Sequence, residues 1–230
     1  MVDAHCHLAL YPKPEVTADE SNTHVLAVSL YPSDYAQTKA LAVGRPHIHP
    51  AVGMHPENVV ERQSELDQLW GLLDDTRYVG EVGLDYTVPG RKLQRDVFER
   101  VLDECAGKSK VISVHARGAV GDALKIVGPN YDGVVILHWF TGDLVELQRA
   151  VDYGLYFSVN EAMTRTGKGL VNLSHMPQDR VLTETDGPYI KGLDGQPSKV
   201  GRMVRYLASM WKMDVASVQA RIDRTAESMF

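Results

Sequence analysis

Cysteine is nearly absent. Cys6 and Cys105 are the only two in 230 residues, which leaves no disulfide framework and no zinc-ribbon spacing. A reducing compartment fits this usage, and the cytoplasm is the expected setting. No run of about 18 apolar residues occurs, so no membrane span is expected. The first residues lack the basic stretch and apolar core of a secretion signal. Positive charge is also scarce: 24 basic against 30 acidic side chains give a formal net charge of −6. That excludes a surface coated for phosphate binding. Nucleic acid remains open as a substrate, because bound divalent cations reverse the local charge. No internal repeat, low-complexity tract or interdomain linker interrupts the chain. With 44% hydrophobic and 23% charged residues, a single globular domain spanning 1–230 is the expectation.

What the chain does have is short Val/Ile/Leu runs alternating with amphipathic stretches. The pattern predicts strands near 2–7, 24–31, 47–55, 78–85, 110–115, 133–138, 155–159 and 180–186. Helices are predicted near 32–43, 63–75, 92–106, 120–127, 143–153, 163–173, 198–212 and 215–229. The first connection, 11–22, reads as a loop with at most one short helix. Pro50 is expected at the start of its strand or at a bulge. Continuous apolar runs indicate parallel strands buried on both faces. Eight such units predict an α/β fold, a (β/α)8 TIM barrel with a shortened first β–α unit and some distortion. Chemistry on that fold sits at the C-terminal ends of the strands.

The polar residues of interest fall where strands are predicted to end. His5 and His7, two apart, share one face of the first strand, and Cys6 points the other way. His55, Glu81, His115, His138, Glu184 and Asp186 occupy corresponding places on later strands. One such histidine reads as an ordinary core or surface residue. Five converging on one barrel mouth with carboxylates read as a metal site. His5, His7, Glu81, His115, His138 and Asp186 exceed the roughly three protein ligands of one open zinc site. Two cations follow, with Glu81 the best placed to bridge them. Mixed imidazole and carboxylate ligands suit zinc, manganese or iron, and magnesium less well; the residues do not choose among them. Asp186 can both ligate and accept a proton from bound water. Glu184 either supports a ligand or pairs in the barrel core. Glu81, Glu184 and Asp186 are thus the candidate catalytic carboxylates.

Six motifs occur in order: His5-Cys-His7, Gly53-Met-His-Pro56, Gly80-Glu-Val-Gly-Leu-Asp-Tyr86, His115-Ala-Arg117, His138-Trp-Phe-Thr-Gly142 and Glu184-Thr-Asp-Gly-Pro188. Together, across about residues 1–190, they resemble the TatD family of metal-dependent deoxyribonucleases. The resemblance implies the barrel, two divalent cations (zinc, manganese or magnesium), and hydrolysis of DNA phosphodiesters, often from a 3′ end, on single-stranded or frayed substrate. It implies that His5, His7, Glu81 and Asp186 form one metal site and that Glu81, His115 and His138 form the other. It further implies substrate contacts among His55, Asp85, Tyr86 and Arg117. Arg117 fits a phosphate partner, or equally an ordinary loop ion pair. Trp139 reads either as a stacking platform for a base or as a packed rim aromatic. Arg165-Thr-Gly-Lys-Gly169 lacks phosphate-loop spacing and reads as the loop that opens a helix.

Three features depart from the family pattern: the short first connection, Trp139-Phe-Thr-Gly142 in place of Cys-Phe-Ser-Gly, and the Thr225–Phe230 ending. The short first unit, His138-Trp-Phe and Thr183–Pro188 are most similar to the TatD-like component of the Qat anti-phage defence system, which implies protein partners and a defence role. Two other functions stay open. One is a small-molecule hydrolase of the amidohydrolase or phosphotriesterase type, against which Glu81 stands where a bridging lysine is often found. The other is a subunit that works only with partners.

Overall fold

The computed structural model describes residues 1–190 and 195–230. Eight parallel strands form one sheet in sequence order: β1 Val2–Cys6, β2 His24–Val28, β3 Ile48–Val52, β4 Tyr78–Asp85, β5 Val111–Arg117, β6 Val134–His138, β7 Tyr156–Val159 and β8 Val181–Thr183. Every consecutive pair is hydrogen-bonded. Helices α1 Pro14–Glu20, α2 Tyr35–Ala42, α3 Leu66–Leu72, α4 Arg91–Cys105, α5 Val120–Val127, α6 Leu144–Asp152, α7 Gly167–His175 and α8 Gly201–Trp211 alternate with the strands, and α9 Val215–Ala226 follows. This is the (β/α)8 barrel that the apolar runs predict. None of the described helices is long and apolar enough to cross a membrane.

The helices cover the barrel because their apolar residues recur at helical spacing. In α4, Val97, Phe98, Val101, Leu102 and Cys105 are buried on one stripe. Helix α6 starts with a reciprocal cap between Asp143 and Glu146. Thr166 caps α7 by accepting the Gly169 N–H, so Arg165–Gly169 does open a helix. The first connection holds one helix, α1, of seven residues. Cys6 lies in a small outer core with Leu8, Ala18, Val25 and Leu41, facing away from the histidines on its strand.

The barrel is nearly closed. No strand ladder joins β8 to β1, and the seam is stitched by individual bonds. Asp186 N–H donates to His5 O at 3.0 Å, and His7 N–H donates to Gly187 O at 2.9 Å. The buried Asp3 carboxylate accepts the Thr185 N–H at 2.9 Å and the Thr185 hydroxyl at 2.5 Å. Burial pushes the Asp3 carboxyl up to about 8, against the pull of these Thr185 bonds.

Two local expectations differ from the structure. Pro50 sits in the middle of β3, paired to Ala27; a strand residue's donor serves only one neighbour, so the missing N–H removes a single ladder bond. Glu81 lies mid-strand, not at an end. The β4–β5 register shifts between Val79 and Val82, and this irregularity marks the position of Glu81. Close backbone approach is built in on both sides of it. A Cβ at Gly53 would strike the Glu81 backbone, and one at Gly83 would strike the His115 carbonyl.

Candidate metal centre

The Glu81 carboxylate, almost fully buried, is the hub of the barrel mouth. Its Oε2 lies 3.3 Å from His5 Nε2 and 3.2 Å from His7 Nε2. Its Oε1 lies 2.8 Å from His115 Nδ1, 3.2 Å from His138 Nε2 and 3.4 Å from His55 Nε2. Asp186 Oδ1 is 3.9 Å from His5 Nε2 and 3.8 Å from His7 Nε2. Five histidines on four different strands or their exits thus meet one carboxylate. Asp186, just past β8, reaches the mouth from a left-handed backbone position, φ 48°.

The inner nitrogens of His115 and His138 are set by what their outer nitrogens bond, whereas His7 Nδ1 is buried without a partner. His115 Nε2 is 3.0 Å from Asp85 Oδ2, and His138 Nδ1 is 3.3 Å from Glu184 Oε1. A carboxylate only accepts, so it holds the proton on the outer nitrogen and leaves the inner one to face Glu81. His5 Nδ1 pairs with the buried Ser113 hydroxyl at 2.8 Å. Glu184 is itself fixed by Ser158 and by Asn160 Nδ2 at 2.7 Å. Asp85 accepts the Thr87 N–H at 2.8 Å.

The electrostatics follow from this crowding. Burial alone would raise the Glu81 carboxyl, but the surrounding histidines hold it well below the usual carboxylate range. Burial works against a charge on His138, yet Glu184 and Glu81 raise it well above an ordinary imidazole; Asp85 and Glu81 raise His115 in the same way. His5 is lowered to about 4, by burial first and then by His138. Burial pushes Asp186 up to about 8.

The donors fit a divalent cation. His5 Nε2 is fully buried and has no hydrogen-bond partner, although it faces Glu81; a buried ring nitrogen without a partner suits a ligand lone pair. Three groups of side chains bring their donor atoms within 4.8 Å of one another: His5, His7 and Glu81; His5, His138 and Glu184; His55, Glu81 and His115.

A cavity of about 480 Å³ opens over the hub, the size of an ordinary small-ligand site. Leu30, Trp139 and Tyr189 contribute apolar lining, and Glu57, Asn58 and Arg117 contribute polar lining. Arg117 is largely exposed, 4.0 Å from Glu57. Asp85 and Tyr86 are not where a substrate contact is expected. Asp85 is wholly buried behind His115, because Gln94 of α4 grips its backbone on both sides. Tyr86 turns outward, donates to Asp122 at 2.8 Å and lies under Arg91. Glu184 lies beneath the cavity and orients His138 in place of facing a substrate.

Some functional residues escaped the sequence reading. Asp3, Ser113, Ser158 and Asn160 orient the inner groups, and Tyr189 sets its ring edge-on to His7 at 4.9 Å. An acidic residue inside the apolar first strand is the one available signal for Asp3. An aromatic three residues after Asp186 is the signal for Tyr189.

Comparison with known proteins gives the family. The family model described as TatD related DNase matches residues 2–230. The chain belongs to the TatD family. It is a metal-dependent hydrolase of that family, with His/Glu clusters suited to metal. An uncharacterized metal-dependent hydrolase of Buchnera aphidicola subsp. Baizongia pistaciae is 26% identical, over 93% of this chain and 89% of that protein. A protein of Citrobacter rodentium named 3'-5' ssDNA/RNA exonuclease TatD is 27% identical, over 88% and 83%. In fold, the crystal structure of YJJV, a TatD homologue from Escherichia coli K12, superposes with a TM-score of 0.85. It is 21% identical and covers 100% of this chain and 97% of that one.

Proposed function

We propose that the protein is a two-metal nuclease that hydrolyses DNA phosphodiester bonds from the 3′ end of single-stranded or frayed DNA. The division of ligands by one carboxylate carries this reading: Glu81 presents Oε2 to His5 and His7 and Oε1 to His115 and His138. His5, His7, Glu81 and Asp186 would hold one cation, and Glu81, His115 and His138 the other. Zinc, manganese and magnesium are the candidates. When bound, such cations lower the pKa of water and offset charge on phosphoryl oxygens.

The chain's own groups do the rest. Asp186 lines the cavity, and burial makes its carboxylate more basic than an exposed one. This suits a group that takes up the proton of an attacking water. Asp85 and Glu184 keep His115 and His138 in the tautomers that face Glu81. Trp139 and Tyr189 offer faces for a base, and Arg117 offers a cation to a phosphate. The exonuclease activity for which the Citrobacter relative is named supports the choice of substrate, and the cavity's modest volume favours a strand end over a duplex.

The test is degradation of short single-stranded DNA by metal-loaded protein in manganese or magnesium. Products shortened from the 3′ end are expected. Intact DNA under conditions where an active relative degrades it contradicts the assignment. Turnover of esters or lactones in its place would move the protein to the small-molecule hydrolases. A role in anti-phage defence with Qat-type partners is a narrower part of the proposal, supported by the likeness at Trp139-Phe140 and Thr183–Pro188. Stable co-purification with products of neighbouring genes is its check.

A further inference from the structure

The short first connection reaches back to the turn that carries Asp186. Directly after His7 the chain makes a 3-10 turn, Leu8–Leu10, closed by the Leu10 N–H on His7 O at 2.9 Å. Tyr11 follows, and its ring packs half-buried against the outer core of Cys6, Leu8 and Ala18. From there its hydroxyl donates to the carbonyl of Gly195, on the way into α8. The hydroxyl also lies against Gly187. A Cβ at that position would strike both the Tyr11 hydroxyl and the Gly195 oxygen, so the glycine is what lets the three groups meet. One phenol thus joins position 187 to position 195, the two ends of the segment that carries Tyr189.

What Tyr11 touches is the backbone that aims Asp186. A non-glycine residue at φ 48° keeps that conformation only where its surroundings hold it. The Asp186 N–H donates to His5 O, and its carbonyl accepts the Tyr189 N–H at 2.9 Å. Gly187 O accepts the His7 N–H at 2.9 Å and the Cys6 thiol at 3.7 Å. These bonds come from β1, its exit and the turn itself; Tyr11 adds a tie from the first connection. His7 and Asp186 are therefore fixed to each other twice, by the His7 N–H on Gly187 O and by the 3-10 turn that joins His7 to Tyr11. His115 and His138 stand on β5 and β6, which are not neighbours of β1 in the sheet.

We propose that Tyr11 is a positioning residue for Asp186: by bonding Gly195 and seating Gly187, its hydroxyl holds the Asp186 carboxylate on the His5–His7 side of Glu81, and so sets the affinity of that side for a cation without setting the His115–His138 side. The division into two cation sites rests on the nuclease reading above; the tie between Tyr11 and the Asp186 turn does not. Losing a group that orients a ligand typically lowers metal affinity about 10–100-fold. Tyr11 acts through the backbone, one step further out, so the lower figure applies.

The experiment compares wild type with Tyr11→Phe, which keeps the ring and removes only the hydroxyl; folding is checked by circular dichroism and melting. Amide hydrogen exchange is measured on the cation-free proteins. The amides of Asp186, Gly187 and Tyr189 should exchange about 10-fold faster in the variant, because the turn opens more easily, while those of β5 and β6 keep wild-type rates. Zinc and manganese are then titrated by calorimetry. One cation should bind about 10-fold more weakly to the variant and the other within about twofold of wild type. A tyrosine that merely supports the fold would lower the melting temperature and weaken both cations alike, and that result overturns the proposal. Wild-type exchange at the Asp186 turn, or wild-type affinity for both cations, overturns it equally. If the wild type itself takes up fewer than two cations, the two-metal reading falls, while the exchange rates still decide whether Tyr11 holds the Asp186 turn.

Discussion

Two histidine clusters sit at opposite ends of the barrel, and only one has the makings of a metal centre. At the mouth, five rings surround Glu81, with Asp85, Glu184 and Asp186 alongside. At the other end, His24 begins β2 and His49 lies in β3, with His24 Nδ1 3.0 Å from His49 Nε2. The neighbours there are aromatic: Phe230 lies 4.9 Å from the His49 ring, and Tyr78 stacks on Phe230 at 5.8 Å. Among the described residues, no carboxylate lies within ion-pairing distance of His24 or His49. Burial lowers rings at both ends, His5 and His7 at the mouth and His49 here, but only at the mouth are any rings raised. Carboxylates raise His115 and His138. Burial, then His24 and His47, lowers His49 to about 4. Clustered imidazoles alone repel one another when charged; a buried carboxylate among them turns the cluster into a place for positive charge.

Removing that carboxylate should produce the largest effect. Glu81→Ala should abolish tight cation binding and reduce hydrolysis to background, while the fold survives by circular dichroism. Retained cation binding would mean that the histidines suffice and that the two ends differ for some other reason.

Weakening the outer carboxylates is the next step down. Asp85→Asn and Glu184→Gln keep shape but replace an acceptor-only group. Each should cost roughly 10–100-fold in metal affinity, measured by chelator competition. Glu184→Gln should also disturb Ser158 and Asn160, so its loss should be the larger of the two.

The smallest effect belongs to the other end and appears in stability. His49 has a folded value near 4 and an unfolded value of about 6.5. Between these, the unfolded chain binds more protons than the folded one. Stability is therefore present above about pH 6.5 and is lost as pH falls toward 4. Melting temperature should drop across that window, and His49→Gln should flatten the drop while leaving cation binding and turnover unchanged. An equally steep drop in the variant would remove His49 from the account.

Much of this was legible in the residues. The eight strands could be read because parallel strands buried on both faces leave unbroken runs such as Val134–Leu137. The inner ring of the site could be read because histidine and carboxylate at successive strand ends have few other reasons to converge. The orienting groups were not legible. Ser113 serves His5 from 108 positions away in sequence, and a serine inside a strand has many ordinary uses. Asp85 looked like a cleft residue, and only its burial by α4 shows it standing behind His115. Glu81 could be identified as the carboxylate among the histidines, but not its mid-strand position at a break in the β4–β5 register.

The most direct measurement is anomalous scattering from crystals grown in saturating manganese or zinc. Two peaks are predicted at the mouth, one on each side of the Glu81 carboxylate, near His5, His7 and Asp186 and near His115 and His138, with none at His24 and His49. A peak on the His24–His49 pair, or a mouth that binds no cation at saturation, would contradict the claim that Glu81 makes one histidine cluster a metal centre and its absence leaves the other a structural contact.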